Sequence, residues 1–328
     1  MLSRDFYITP DDRPVLDVPG GNALYSAIGL KIWEHETPPG LIARVGEDFP
    51  RQWLDDFARH GLDIRGVNIL PQPLDLRDFY VFAARGRRQR DNPIRHFARL
   101  ELPLPKALLG YQPPTDEKVD SRIALHPTSI RHTDIPPAYE DAVAAHICPL
   151  DFLTHSLLPA VLRQHGITTV TLDPGESYMT PTFFNDVASL LPGLTAFLPA
   201  EEDLLALFER RTDDLWEIAE ALAAYGCEII VIKRGERGQM LYDAAGKARW
   251  EIPAYPSQTN NMVGVGDAFC GGFLVGFRRT FDPLEAVLYG NISASLVGEG
   301  EGVFYALDAT PGLAEARREA LRPMARKV

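Results

Sequence analysis

Late in the chain runs Asn261-Met262-Val263-Gly264-Val265-Gly266-Asp267-Ala268-Phe269. Phe269, Phe273 and Phe277 follow at i, i+4 and i+8, so the stretch leads straight into an amphipathic helix. Gly264 and Gly266 let the backbone turn tightly and approach a ligand closely. The first amides of a helix have no partner within it, and the helix dipole adds partial positive charge there. Together these make an anion site, suited to a phosphoryl group that shares its charge over several oxygens during transfer. A carboxylate beside such a site repels phosphate if it serves binding alone. Asp267 makes sense as a general base that takes a proton from a hydroxyl attacking the γ-phosphorus. The plainer alternative is an N-cap Asp267 after an ordinary glycine turn, and spacing alone leaves both open.

Rival chemistries lack their residues. No GxxxxGK[ST] loop is present, Phe269 stands where a dinucleotide fingerprint needs its third glycine, and neither GxSxG nor HExxH occurs. A formal net charge of −12 argues against a nucleic-acid partner. Cys148, Cys227 and Cys270 lie in apolar runs without a CxxC pair, which predicts buried free thiols and suits a reducing cytoplasm. The N-terminus has no signal-peptide core, and no run of 18 apolar residues exists, so neither secretion nor a membrane span is expected.

Positioning such a site requires a scaffold, and the chain alternates strand-like and helix-like segments. Leu41–Val45, Arg122–Leu125, Ala145–Cys148, Thr168–Leu172, Thr195–Leu198 and Glu228–Ile232 read as short strands. Helical patterns carry Trp53 and Phe57, Leu157 and Leu162, Leu204 and Leu207, Trp216 and Leu222, and Leu284, Leu288 and Ile292. Alternation with short connections predicts βα units and a mainly parallel sheet covered on both faces. Residues 6–19 and 67–100 break the rhythm and predict a small antiparallel sheet outside the main one. The basic run Arg85-Gly86-Arg87-Arg88-Gln89-Arg90 within it reads as a solvated hairpin tip.

At this point the residues resemble a known family. Asn261–Asp267 resembles the C-terminal signature of the ribokinase-like (PfkB) carbohydrate kinases, D/N-T-x-G-A-G-D, with Met262 for Thr and Val265 for Ala. Further matches follow in the family's order. Gly20-Gly21 before the helix Ala23–Ile32 resembles its substrate-contacting GG motif. Val45-Gly46-Glu47-Asp48 looks like V-G-x-D, and Leu172-Asp173-Pro174 like the strand-ending D-P. Ile232-Lys233-Arg234-Gly235-Glu236-Arg237-Gly238 is similar to the K/T-x-G-x-x-G turn beside the nucleotide, and the helix with Asn291, Ser293 and Ala294 to the last nucleotide-flanking helix. Each motif is short; their order and spacing over about residues 5–305 are specific.

The resemblance implies one ribokinase-like domain over 1–328, a doubly wound α/β fold with a mainly parallel sheet flanked by helices. It also implies a small β-lid from the two irregular regions. ATP with Mg²⁺ would phosphorylate a hydroxymethyl group, Asp267 acting as base and Gly264, Val265 and Gly266 forming the anion hole. Lys233, Gly235, Gly238, Asn291 and Asp173 would line the nucleotide, and Asp5, Gly20, Gly21, Asn22 and Tyr25 the substrate. The partner is a small sugar-like molecule, with no nucleic acid or membrane, and a homodimer paired through the lid fits the family.

Three departures bear on that reading. The family opens with an apolar strand ending before an Asp that holds substrate hydroxyls; this chain begins almost at that Asp, if Asp5 is its match, so the first strand is missing or cut short. The family's N-x-x-E, tied to metal and phosphates, stands here as Ala200-Glu201-Glu202-Asp203, leaving Glu202 or Asp203 for the metal or for helix capping. Tyr25 replaces an Asn, to stack on a ring or to pack in the core. An inactive ligand-binding or regulatory protein of the same fold, and a kinase of a nucleoside or vitamin-like heterocycle, stay beside the sugar-kinase reading.

Overall fold

The computed structural model describes residues 1–82, 88–113 and 121–328. Strands β1 (Ser3–Ile8) and β2 (Pro14–Gly20) form an antiparallel hairpin that feeds helix α1 (Asn22–Lys31). Next, β3 (Gly40–Gly46), α2 (Arg51–Arg59) and β4 (Asp63–Leu70) make a βαβ unit whose strands pair in parallel. Strands β5 (Arg77–Phe82) and β6 (Arg88–Arg90) return to the first hairpin, giving the order β2-β1-β5-β6, with α3 (Pro93–Arg99) beneath. The β1–β5 pair is parallel, so this small sheet is mixed rather than antiparallel. The expected irregular region also gives up residues 67–70 to β4.

The second half carries the larger sheet. Strands β7 (Ala144–Ile147), β8 (Thr169–Leu172), β9 (Ala196–Phe197) and β10 (Ile229–Lys233) run parallel, linked by α4 (Phe152–Gln164), α5 (Phe184–Leu190), α6 (Glu201–Leu207) and α7 (Leu215–Ala223). Strands β11 (Gln239–Asp243) and β12 (Ala248–Ile252) extend it antiparallel. Helices α8 (Val265–Thr280), α9 (Pro283–Gly298) and α10 (Leu313–Leu321) follow, and β13 (Arg326–Lys327) closes the edge. This is the α/β architecture that the alternation predicts. Residues Ile229–Ile232 of β10 are all buried, because both faces are covered. Val231 faces the core shared with α1, α8 and α9, whereas Ile230 and Ile232 face that of α4–α7.

Two expectations fail locally. Arg122–Leu125 is a turn, not a strand. It has no strand to pair with, Ile123 is 82% exposed, and the Arg122 guanidinium is tied to Asp186 and the Thr182 carbonyl. Apolar content makes a strand only where a neighbour accepts its ladder. In the basic run, Arg85, Gly86 and Arg87 lie outside the described residues. Arg90 stands on β6, antiparallel to β5, where it is exposed and grips both carboxylate oxygens of Asp78, at 2.8 and 2.9 Å. Among the described residues, no helix is long and apolar enough to cross a membrane.

Candidate active site

Helix α8 positions the chemistry, and its mounting is specific. Gly264 has φ +69°, and a Cβ there would stand 2.0 Å from Cγ of Tyr25, so backbone and space both demand glycine. Tyr25, 5% exposed, is thereby the floor under the loop and packs as core. The loop is pinned from behind. Asn261 accepts from the Val263 amide, and the Asn260 and Asn261 amides donate to the Gly298 carbonyl at the end of α9. The first helical bond runs from the Ala268 amide to the Gly264 carbonyl at 2.8 Å. The amides of Val265, Gly266 and Asp267 therefore have no helical acceptor.

Helix α1 lies against α8 with backbone touching backbone. A Cβ at Gly271 would sit 1.8 Å from the Ser26 carbonyl oxygen, and one at Gly29 2.0 Å from that of Ala268. This close crossing brings two polar residues of α1 to Asp267, the candidate base. Asn22 Nδ2 donates to Asp267 Oδ1 at 2.9 Å, and Ser26 Oγ donates to the Asp267 carbonyl at 2.9 Å. Asn22 was expected on the substrate; the structure places it on the candidate base. Ser26 was missed, although it sits at i+4 from Asn22 as a polar residue on an otherwise apolar helix. That spacing was the available signal.

The other substrate candidates gather above this point. Asp5, 3% exposed, accepts from the Ser3 hydroxyl at 2.5 Å and from the Tyr80 hydroxyl at 3.0 Å. A Cβ at Gly20 would fall 2.2 Å from Asp5 Oδ2, so that glycine makes room for the carboxylate. Gly21, with φ +102°, turns the chain into α1. Burial raises the Tyr25 phenol well above its usual range, and the charges of Asp5 and Asp267 add to this.

On the far side of the loop, Lys233 ends β10 and makes a buried ion pair with Asp173, just past β8. Both stand at the carboxyl edge of parallel strands, where open α/β sheets bind ligands. Cys270 Sγ lies 3.6 Å from both the Lys233 ammonium and the Asp173 carboxylate. Cys227 and Cys270 are buried as expected, whereas Cys148 is half-buried. Burial works against the Lys233 charge, yet Asp173 and Cys270 hold its ammonium above the ordinary value. Burial pushes Asp173 up to about 6 even though Lys233 pulls it down.

The remaining candidates divide. Gly235 and Gly238 form the turn between β10 and β11. Glu202 is exposed, while Glu201 pairs with Arg237. Asp203 is half-buried and accepts from the Ala200 amide, so it caps α6; burial, then the Asp173 charge, pushes it up to about 7. Asn291 is turned inward. Its amide donates to Gln239 and the Pro253 carbonyl and accepts from the Tyr255 amide, which spends the side chain on holding β11 and β12 to α9.

Mg²⁺ commonly takes one or two carboxylates and fills the rest of its shell with water and phosphate oxygens. Among the described residues no group of three or more His, Cys, Asp or Glu could hold a metal ion, so Asp203 would serve as a single carboxylate within such a shell.

Comparison with known proteins places the fold. The family described as "pfkB family carbohydrate kinase" matches residues 153–309. A cytidine kinase of Thermococcus kodakarensis is 28% identical over 287 residues, 87% of this chain and 88% of that protein. A putative ribokinase II of E. coli, solved with ATP and Mg²⁺, superposes with a TM-score of 0.68 at 17% identity, covering 97% of each chain. A nucleoside kinase of Burkholderia thailandensis, solved with inosine, gives 0.65 at 18% identity over 97% of this chain and 93% of that one. With a match to that family over residues 153–309 and a ribokinase-like fold along its whole length, the chain is similar to the PfkB carbohydrate kinases.

Proposed function

We propose that this kinase transfers the γ-phosphoryl group of ATP to a hydroxymethyl group of a sugar-like acceptor, with Asp267 as general base. One observation carries the reading. The Asp267 carboxylate stands in the first turn of α8, aligned by Asn22 at 2.9 Å, beside three amides that have no helical acceptor. A plain N-cap needs no aligning donor from another helix.

In this reading the acceptor oxygen attacks the γ-phosphorus. The bond from that phosphorus to the β,γ-bridging oxygen breaks, ADP leaves, and the hydroxyl proton passes to Asp267. The Val265, Gly266 and Asp267 amides receive the charge of the transferring group. Asp5 holds acceptor hydroxyls, and the Lys233–Gly238 turn lies along the nucleotide. Asp203 would hold Mg²⁺, which supplies charge neutralisation on the phosphates.

A nucleoside acceptor is favoured by a separate observation. Tyr7 stacks on Tyr80, with ring centroids 5.4 Å apart and planes 7° apart, and half-buried Phe82 meets both edge-on. Tyr7 and Tyr80 are almost fully buried, so half-buried Phe82 is the ring of this cluster that a heterocycle could reach. Pairing of two copies through the four-stranded sheet belongs to the same reading and is tested by the mass of the protein in solution.

The deciding experiment is ATP consumption with Mg²⁺ and a panel of pentoses, hexoses, sugar acids and nucleosides, with Asp267→Asn as control. Acceptor-dependent turnover lost in the variant supports the reading. Nucleotide binding without turnover on any acceptor moves it to a ligand-binding protein of the same fold.

A further inference from the structure

Lys233 is placed where a cation would meet the transferred group. Its backbone is fixed by a bond from its amide to the Pro199 carbonyl at 2.9 Å and by a bridge to Ala200. Beyond its chain neighbours and its own helix backbone, a Cβ built on Gly266 would find one heavy atom of the described residues within 4 Å, Lys233 Nζ at 3.9 Å. The space in front of the open amides is therefore the space beside the ammonium.

The surrounding charges make this more than a structural ion pair. Lys233 interacts electrostatically with Asp173, Asp203 and Asp267 together, so three carboxylates share one ammonium around a loop built for an anion. Buried ion pairs add little stability over an apolar substitute, which leaves a fold with no strong need of this one. An ammonium carries three N–H bonds. The contacts found account for two, one to Asp173 and one to the weakly accepting Cys270 sulfur.

Resting on the kinase reading above, we propose that Lys233 is a catalytic residue: held by Asp173, it donates its remaining N–H to an oxygen of the phosphoryl group as that group crosses the Val265–Asp267 amides. No proton leaves the lysine. Its charge offsets the negative charge spread over the equatorial oxygens while the bond to ADP breaks and the bond to the acceptor forms. Asp173 is then a positioning residue, which keeps the ammonium charged and aimed in a buried place.

The test compares wild type, Lys233→Met and the double variant Lys233→Met/Asp173→Asn. Lys233→Met is expected to lower kcat about 100- to 1000-fold while the KM for ATP moves by about threefold or less, the pattern of a contact made in the transition state. ADP with aluminium fluoride, an analogue of the transferring group, is expected to bind Lys233→Met about 100-fold more weakly than wild type. ADP alone should bind both equally. The double variant removes the unpaired carboxylate and with it any fault of folding or packing, so it should regain thermal stability but not kcat. Recovery of kcat in the double variant, or a Lys233→Met enzyme that keeps wild-type kcat, overturns the catalytic role and leaves the kinase reading standing. A wild-type protein that turns over no acceptor and binds the fluoride complex no tighter than ADP overturns both.

Discussion

Asn22 and Asp267 stand 245 residues apart in the chain and 2.9 Å apart in the fold, amide nitrogen to carboxylate oxygen. A hydrogen bond to a charged group contributes about 1.5–3 kcal/mol. If that bond aligns the base, Asn22→Ala should lower kcat about 10- to 100-fold, less than Asp267→Asn, with little change in the KM for ATP. Steady-state kinetics of the two variants side by side checks the order. An Asn22→Ala enzyme that raises only the KM for acceptor would return Asn22 to the substrate.

Gly264→Ala should damage fold and activity together. The new methyl would meet the Tyr25 ring in a backbone conformation, φ +69°, that costs an L-residue about 1–2 kcal/mol even in open space. Urea unfolding should show a loss of about 2–4 kcal/mol for Gly264→Ala. Adding Tyr25→Ala should relieve the clash but not the backbone strain.

Asp5→Asn should act on the acceptor alone. The carboxylate is held by Ser3 and Tyr80 in space that Gly20 leaves for it, far in the chain from the nucleotide turn. The KM for acceptor should rise about tenfold or more, with the KM for ATP unchanged. Equal rises for both substrates would place Asp5 in the framework of the lid instead.

The pH dependence of stability should reveal Asp203. Its carboxyl is pushed from an ordinary value of 3.8 up to about 7, chiefly by burial. The unfolded chain releases this proton near 3.8, while the folded protein keeps it until about 7. Between those values the folded state binds more protons, so the stability this group contributes falls as pH rises. Thermal unfolding without metal should therefore lose ground between about pH 4 and 7, and Asp203→Asn should flatten the trend. Added Mg²⁺ should restore stability at the upper end in wild type and not in the variant.

The sequence made legible what is local. Gly264, Gly266 and Asp267 lie in one loop leading into a helix, so their joint geometry follows from helix physics, and the apolar runs of β8 and β10 carry their own burial. What stayed hidden depends on partners far along the chain. Asn22 gives no sign of Asp267, because their meeting needs the glycine crossing of α1 and α8. Asn291 looked like a nucleotide residue, since only the fold shows Gln239, Pro253 and Tyr255 consuming its amide. Arg122–Leu125 had the composition of a strand and lacked a neighbouring ladder. Lys233 was visible as part of a turn, but its approach to Gly266 belongs to two elements joined through the sheet.

The backbone contacts of Gly29 with Ala268 and of Gly271 with Ser26 leave no room for a side chain between two helices. Asp267, proposed as the base, the Asn22 amide and the Gly264–Gly266 loop therefore share one closely packed mount. A fluorophore on the small sheet near Asp5 should report acceptor arrival, whereas one on α1 should stay silent through the whole turnover cycle. Accuracy at this site resides in a pair of glycines.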